Sequence, residues 1–228
     1  MADNVSLYGF RYQGLQGGPG HMKPIMKIVA TAASFDVSGG LQNAALRAGD
    51  VVTLASTGGV TLCGGTENSQ TPVNPYGVVV GVMPYYDSTI GRSGAMRPSN
   101  SLPSDISWGT NLARQSKLLI QPFYPGQVFE VDADDATTAT TEAAYQALIG
   151  ENVDMINSAA ASVTPPWAAP KIDISTHATT ATLAFTIVGI SPTKNNVDFS
   201  GANVKLLVEA NIAQTGAYGL IGTGRLGV

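Results

Sequence analysis

The sequence predicts an all-β protein: a single β-barrel or sandwich core with one short inserted helix and extended N- and C-terminal arms. Three observations lead there. Glycine (26) and proline (13) recur at short intervals along all 228 residues. Short runs rich in β-branched residues lie between them, which is how strands separated by turns read. Hydrophobic residues make up 44% of the chain, enough for a core, and charged residues only 12%, about half the usual share of roughly 25%.

Residues 1–24 read as an N-terminal arm. Aromatics come first (Tyr8, Phe10, Tyr12, with Arg11 among them) and Gly17-Gly18-Pro19-Gly20 follows. The core is expected over 25–210. Its first strand falls at 25–33, and Gly49-Asp50 turns into a strand at 51–54. Residues 60–63 form a short strand. The run Gly77-Val78-Val79-Val80-Gly81-Val82 is apolar on both faces, so it belongs in the middle of a sheet. The stretch 84–110 is polar and rich in Pro and Gly, and a loop of that length is generally functional or ordered by a partner.

A strand at 117–121 comes next, and Pro125-Gly126 turns into Gln127–Asp132, where Val128 alternates against Phe129 and Val131. One helix is expected at about 141–149. Thr141 caps it, Glu142 suits its positive end, Ala144, Tyr145, Leu148 and Ile149 form its apolar stripe, and Gly150 closes it. Residues 158–170 read as an Ala/Ser/Pro linker. Alternation returns in Lys171-Ile172-Asp173-Ile174-Ser175 and in Leu183, Phe185 and Ile187 against Thr182, Ala184 and Thr186. Residues 205–209 give the last strand, and 211–228 form a loose Gly-rich tail.

Several functions are excluded or disfavoured. The net charge is −4 and no Lys/Arg block exists, so nothing prepares the chain for a phosphate backbone. The first residues have no basic and apolar halves of a signal peptide, and no apolar run approaches the ~20 residues of a membrane helix. Cys63 is the one cysteine, which rules out an intrachain disulfide and fits assembly in a reducing cytoplasm. A small apolar role near a strand end suits it best.

Candidate chemistry is thin. Gly222-Thr223-Gly224-Arg225-Leu226-Gly227 matches a dinucleotide fingerprint, but the sequence stops at Val228, before the helix that would hold the pyrophosphate. Asp132, Asp134 and Asp135 could ligate a hard cation, yet Thr137 and Ala143 stand where an EF-hand needs Gly and Glu. His21 and His177 are far apart and outside any zinc spacing. No nucleophile motif appears. The expectation is a non-enzymatic protein without metal or cofactor. Tyr85, Tyr86, Trp108 and Trp167 sit in Pro/Gly-rich segments, where such rings anchor protein interfaces or stack on sugars; low charge favours the interface.

An ordered set of motifs goes further. These are Tyr8-Gly9-Phe10-Arg11; Ala48-Gly49-Asp50-Val51-Val52-Thr53-Leu54; Tyr76-Gly77-Val78-Val79-Val80-Gly81-Val82; and Gly126-Gln127-Val128-Phe129-Glu130-Val131. Ile149-Gly150-Glu151-Asn152-Val153-Asp154 follows, then Ile187-Val188-Gly189-Ile190-Ser191-Pro192 with Asn195-Asn196, and the strand 204–209. Together, over about 8–210, they resemble the head decoration, cement or capsid-stabilising proteins of tailed bacteriophages. Tyr12 stands where that family's opening has a proline, and the Gly-rich tail replaces its Asn-Glu-His-like ending.

The resemblance implies a structural protein, made in the host cytoplasm, that binds the outer face of the capsid and bridges major capsid protein subunits. It also implies self-association as a dimer or trimer. A tail or baseplate component and a carbohydrate-binding module are the alternatives. On this reading Tyr8, Phe10, Arg11, Tyr12, Tyr85, Tyr86 and Trp108 contact the partner. The arm threads onto a neighbouring subunit, its rings acting as anchors and Arg11 pairing with a carboxylate. Deleting 1–20 is then expected to leave the fold intact and weaken binding.

Overall fold

In a computed structural model, the residues described are 9–15, 25–28, 48–54, 60–63, 74–82, 86–87, 92–93, 117–124, 126–134, 137–157, 170–194, 196–200, 203–211, 213–214 and 220–221. The strands in chain order are β1 (Arg11–Leu15), β2 (Ile25–Ile28), β3 (Val51–Leu54), β4 (Val60–Leu62), β5 (Gly77–Val82), β6 (Tyr86–Asp87), β7 (Arg92–Ser93) and β8 (Lys117–Pro122). They continue with β9 (Gln127–Asp132), helix α1 (Glu142–Ala147), β10 (Asn152–Asn157), β11 (Pro170–Ala178), β12 (Phe185–Ile190), β13 (Lys205–Ala210), β14 (Ala213–Gln214) and β15 (Leu220–Ile221).

Two antiparallel sheets make the body. One has six strands in the order β1-β9-β13-β12-β10-β11, and the other five in the order β2-β8-β5-β3-β4. The all-β class holds, and the choice between barrel and sandwich falls to a sandwich-like arrangement. The larger sheet curls until Ala133, just past β9, meets Ile172 of β11 in one parallel bridge. The Asp134 amide also donates to the Ile172 carbonyl at 3.0 Å. That single bridge does not extend into a ladder, so the barrel stays open.

The core follows from strand alternation. Val51 and Val78 of the smaller sheet face the larger one, joining Phe129, Val131, Met155, Ile172, Phe185, Ile187, Leu206 and Val208 in one buried cluster. Their neighbours Val52 and Val79 point the other way, into a second cluster with Val60, Tyr76, Leu118 and Ile120. The smaller sheet is therefore apolar on both faces. This is why β5 reads as a continuous apolar run, and β5 is its middle strand.

Helix α1 forms where the sequence places it. The Thr141 hydroxyl accepts from the Ala144 amide at 3.2 Å, and Tyr145 and Leu148 are buried. Ile149 is 39% exposed, so the apolar stripe is one residue narrower than expected. Gly150 has φ of +96°, a conformation open to glycine at little cost. Its amide donates to the Ile187 carbonyl at 2.8 Å, while Glu151 accepts from the Ile187 amide. The helix end is thus stitched to β12.

Three expectations change. Residues 11–15 are a strand, not a free arm: β1 pairs antiparallel with β9, with a bulge between Tyr12 and Gly14. Inside the 84–110 stretch, Tyr86–Asp87 pairs with Arg92–Ser93. Within the tail, Ala213–Gln214 pairs with Leu220–Ile221. Of the linker expected at 158–170, residues 158–169 lie outside the described residues and Pro170 opens β11.

Phe10 is 2% exposed and sits in the main core, so deleting 1–20 removes a core residue and an edge strand. The expectation of an intact fold fails on that ground. Phe10→Ala should cost about 3–5 kcal/mol, the usual loss for a fully buried ring. Urea unfolding of the full chain reads this directly; a loss under 1 kcal/mol would show that the segment is not packed as described.

Candidate functional site

Several of the motifs that carry the resemblance touch one another where the N-terminal segment reaches both sheets. Gly9 comes first because the approach is close. A Cβ there would lie 2.3 Å from the Gly49 carbonyl oxygen and 2.7 Å from Pro170 Cγ, so no larger residue fits without moving backbone. The Phe10 amide then donates to the Gly49 carbonyl at 3.0 Å, and the Gly49 amide to the Val79 carbonyl at 2.7 Å. One backbone chain thus ties β1 to β3 and β5 of the other sheet.

The Phe10 ring fills a socket of three phenylalanines. Its centroid lies 4.9 Å from Phe185, 6.1 Å from Phe123 and 6.5 Å from Phe129. Phe123 and Phe129 stack edge to face at 4.8 Å, and Phe123 and Phe185 at 5.4 Å. Each such pair contributes about 0.5–1.5 kcal/mol beyond its burial. Tyr12 packs on Phe129 at 5.5 Å.

On the other face of β9 lies a polar layer. Arg11 Nη1 donates to Glu130 Oε1 at 3.3 Å. The other oxygen of Glu130 accepts from the Ser191 hydroxyl. Glu130 is 3% exposed, and a carboxylate so buried must be paired to remain charged at low cost. Asn196 holds Ser191 in position: its Nδ2 donates to the Ser191 carbonyl at 3.0 Å and the Lys205 carbonyl at 2.9 Å, and its Oδ1 accepts from the Lys205 amide at 2.9 Å. Two more buried carboxylates flank Glu130. Asp132 pairs with Lys205 Nζ at 3.0 Å, and Glu209 accepts from the Gly126 amide at 2.8 Å.

Of the expected partner-binding residues, the structure brings Phe10, Arg11 and Tyr12 together, but onto the chain's own body. Arg11 is expected to meet a carboxylate of a neighbouring subunit; here it meets Glu130 of its own chain. Tyr86 lies in β6. Tyr8, Tyr85, Trp108 and Trp167 fall outside the described residues, as do His21, Asp135 and the 222–227 fingerprint match.

Sequence reasoning missed Glu130, Ser191 and Asn196. Glu130 carried one usable signal, a lone carboxylate in mid-strand between Phe129 and Val131, which implies a partner from elsewhere in the chain.

The arrangement holds charges and rings in place. His177 is the one imidazole among the described residues, and it bonds Glu151 rather than a hydroxyl or thiol. Among the described residues no group of three or more His, Cys, Asp and Glu is placed to hold a metal. Asp132 is taken by Lys205, and Asp134 Oδ1 accepts from the Ile174 amide at 3.2 Å. No helix of the described residues is long and apolar enough to cross a membrane. Cys63 lies at the end of β4, 2% exposed. Burial, and secondarily the Asp154 carboxylate, push its thiol up to about 12.

Compared with known protein families, curated proteins and solved structures, the chain finds no match.

Two measurements follow from this geometry. Arg11→Ala and Ser191→Ala each strip Glu130 of a donor; loss of the half-exposed Arg11 should cost up to about 1 kcal/mol, and loss of the buried Ser191 hydroxyl about 1–3 kcal/mol. The double variant should depart from additivity by at least 0.5 kcal/mol, as neighbours on one buried carboxylate do; strict additivity in urea unfolding would count against the layer. Cys63 should resist iodoacetamide at pH 8 in the folded chain, where a thiol near 12 leaves roughly one thiolate in ten thousand. It should alkylate readily in denaturant, and rapid native labelling would refute its burial.

Proposed function

We propose that the chain is a non-enzymatic structural protein of a tailed-bacteriophage virion. It binds the capsid exterior and stabilises the shell by bridging major capsid protein subunits. One observation carries the reading: the motifs that resemble decoration proteins are, in this chain, the residues that hold one another. Gly9 and Phe10 rest on Gly49, Arg11 on Glu130, and Glu130 on Ser191. Gly126 rests on Glu209 and Gly150 on Ile187. A set of weak motifs tied together in this way behaves as one signature rather than as separate accidents of a Gly-rich composition.

Composition supports the same reading. A chain with 12% charged residues has surface better suited to being covered by neighbours than to standing alone. Tyr8 and the 84–110 stretch with Tyr85, Tyr86 and Trp108 are the proposed contacts with the capsid. Phe10 and Tyr12 serve the chain's own core and leave that role.

The deciding measurement is the copy number in purified particles, relative to the major capsid subunit, before and after a mild denaturant wash. Hundreds of copies that wash off and leave weakened but closed shells are expected. A handful of copies would move the protein to the tail, and complete absence would overturn the virion reading.

A further inference from the structure

We propose that β1 is an exchangeable strand, and that the socket formed by Phe123, Phe129, Phe185 and Glu130 accepts β1 of a second copy of this chain. The inference rests on how β1 is held, not on the capsid reading. β1 is an edge strand: β9 is its one neighbour in the sheet. Phe10, just before it, and Arg11 within it make long-range contacts with Gly49, Phe123, Phe129, Phe185 and Glu130. The Arg11–Glu130 pair spans 119 residues of sequence. None of these contacts depends on the two partners belonging to the same chain, so an identical strand from a neighbour makes them equally well.

The socket cannot stand empty without exposing three phenylalanines and taking one donor, Arg11, from the buried Glu130. It must be filled by β1 from one chain or another. The Arg11 side chain is 52% exposed, so the polar contact at the rim is open to water and can be remade from solution.

The chain can reach. Nine residues, 16–24, separate β1 from β2. Extended, nine residues span about 30 Å, enough to pass to an adjacent copy. Exchange thus conserves these contacts and changes only which chain supplies them, so concentration decides between the two forms.

A disulfide reports where β1 is seated. Arg11 and Glu130 face each other in the β1–β9 register, at the Cα separation of paired antiparallel strands, which a disulfide can bridge. The full-length Arg11→Cys/Glu130→Cys variant is folded at a series of concentrations, oxidised and run on a non-reducing gel. Disulfide-linked multimers should rise at least several-fold from the lowest to the highest concentration. Gly14→Cys/Val128→Cys uses a second facing pair and keeps the Arg11–Glu130 contact, should the first variant fold poorly. Disulfides that stay within one chain at every concentration in both variants would overturn the proposal. Because no capsid is present, failure here leaves the virion reading standing, and the converse also holds.

Discussion

The burial of one side chain, Phe10, is the constraint on which the architecture depends. The two sheets meet where the chain changes from one to the other. Phe123 follows β8, the last strand given to the smaller sheet, and its amide donates to the Tyr76 carbonyl of that sheet. Phe129 and Phe185 come from the larger sheet. Phe10 enters from the N-terminus and touches all three rings. Remove it and the rings lose their common neighbour, leaving a cavity between the sheets. The four rings stand at positions 10, 123, 129 and 185, so the cluster closes only when distant parts of the chain have met. Topology of this kind folds slowly, on the scale of milliseconds to seconds.

Magnitudes separate what holds β1 from what aligns it. Arg11–Glu130 is a 3.3 Å contact with a half-exposed guanidinium, and pairs of that kind contribute at most about 1 kcal/mol. The ring contributes several times more. The carboxylate layer therefore sets register more than stability. Glu130, Asp132 and Glu209 lie on the adjacent strands β9 and β13, and each takes a donor from a different part of the chain: Arg11 and Ser191, Lys205, and the Gly126 turn. Sliding β1 or β13 by one residue would strand a buried charge, a cost of several kcal/mol. The same slip would turn the apolar side chains of these strands away from the core, so rings and paired charges specify one register together.

Much of the body was legible from residue order. β9 has the predicted bounds, α1 has its predicted cap and closing glycine, and β5 reads as central because both its faces are apolar. What escaped did so for physical reasons. β10 (Asn-Val-Asp-Met-Ile-Asn) carries Asn152 and Asp154, residues disfavoured in strands. Here both are buried, Asn152 donating to the Thr180 carbonyl and the Asp154 amide donating to the Thr176 hydroxyl. β1 is short and contains Gly14. The candidate site was half visible: the aromatic and arginine opening announced an anchor, yet nothing in a sequence tells which body an anchor enters. Glu130, its acceptor, lies 119 residues away with no local pattern to pair them.

That ambiguity has a physical counterpart in the fold. A strand held by contacts distant in sequence makes those contacts equally well whether it docks at home or next door. The difference lies in the entropy of joining two chains, which falls as neighbours are brought close. A protein that stands in many copies on one surface, as the proposed function requires, would meet that condition, whereas the same chain at low concentration would not. Phe10 would then do two jobs with one set of contacts. It would complete the core of each subunit and, once exchanged, make each subunit's core depend on its neighbour. A shell linked in this way could not release one copy without opening the core of the next.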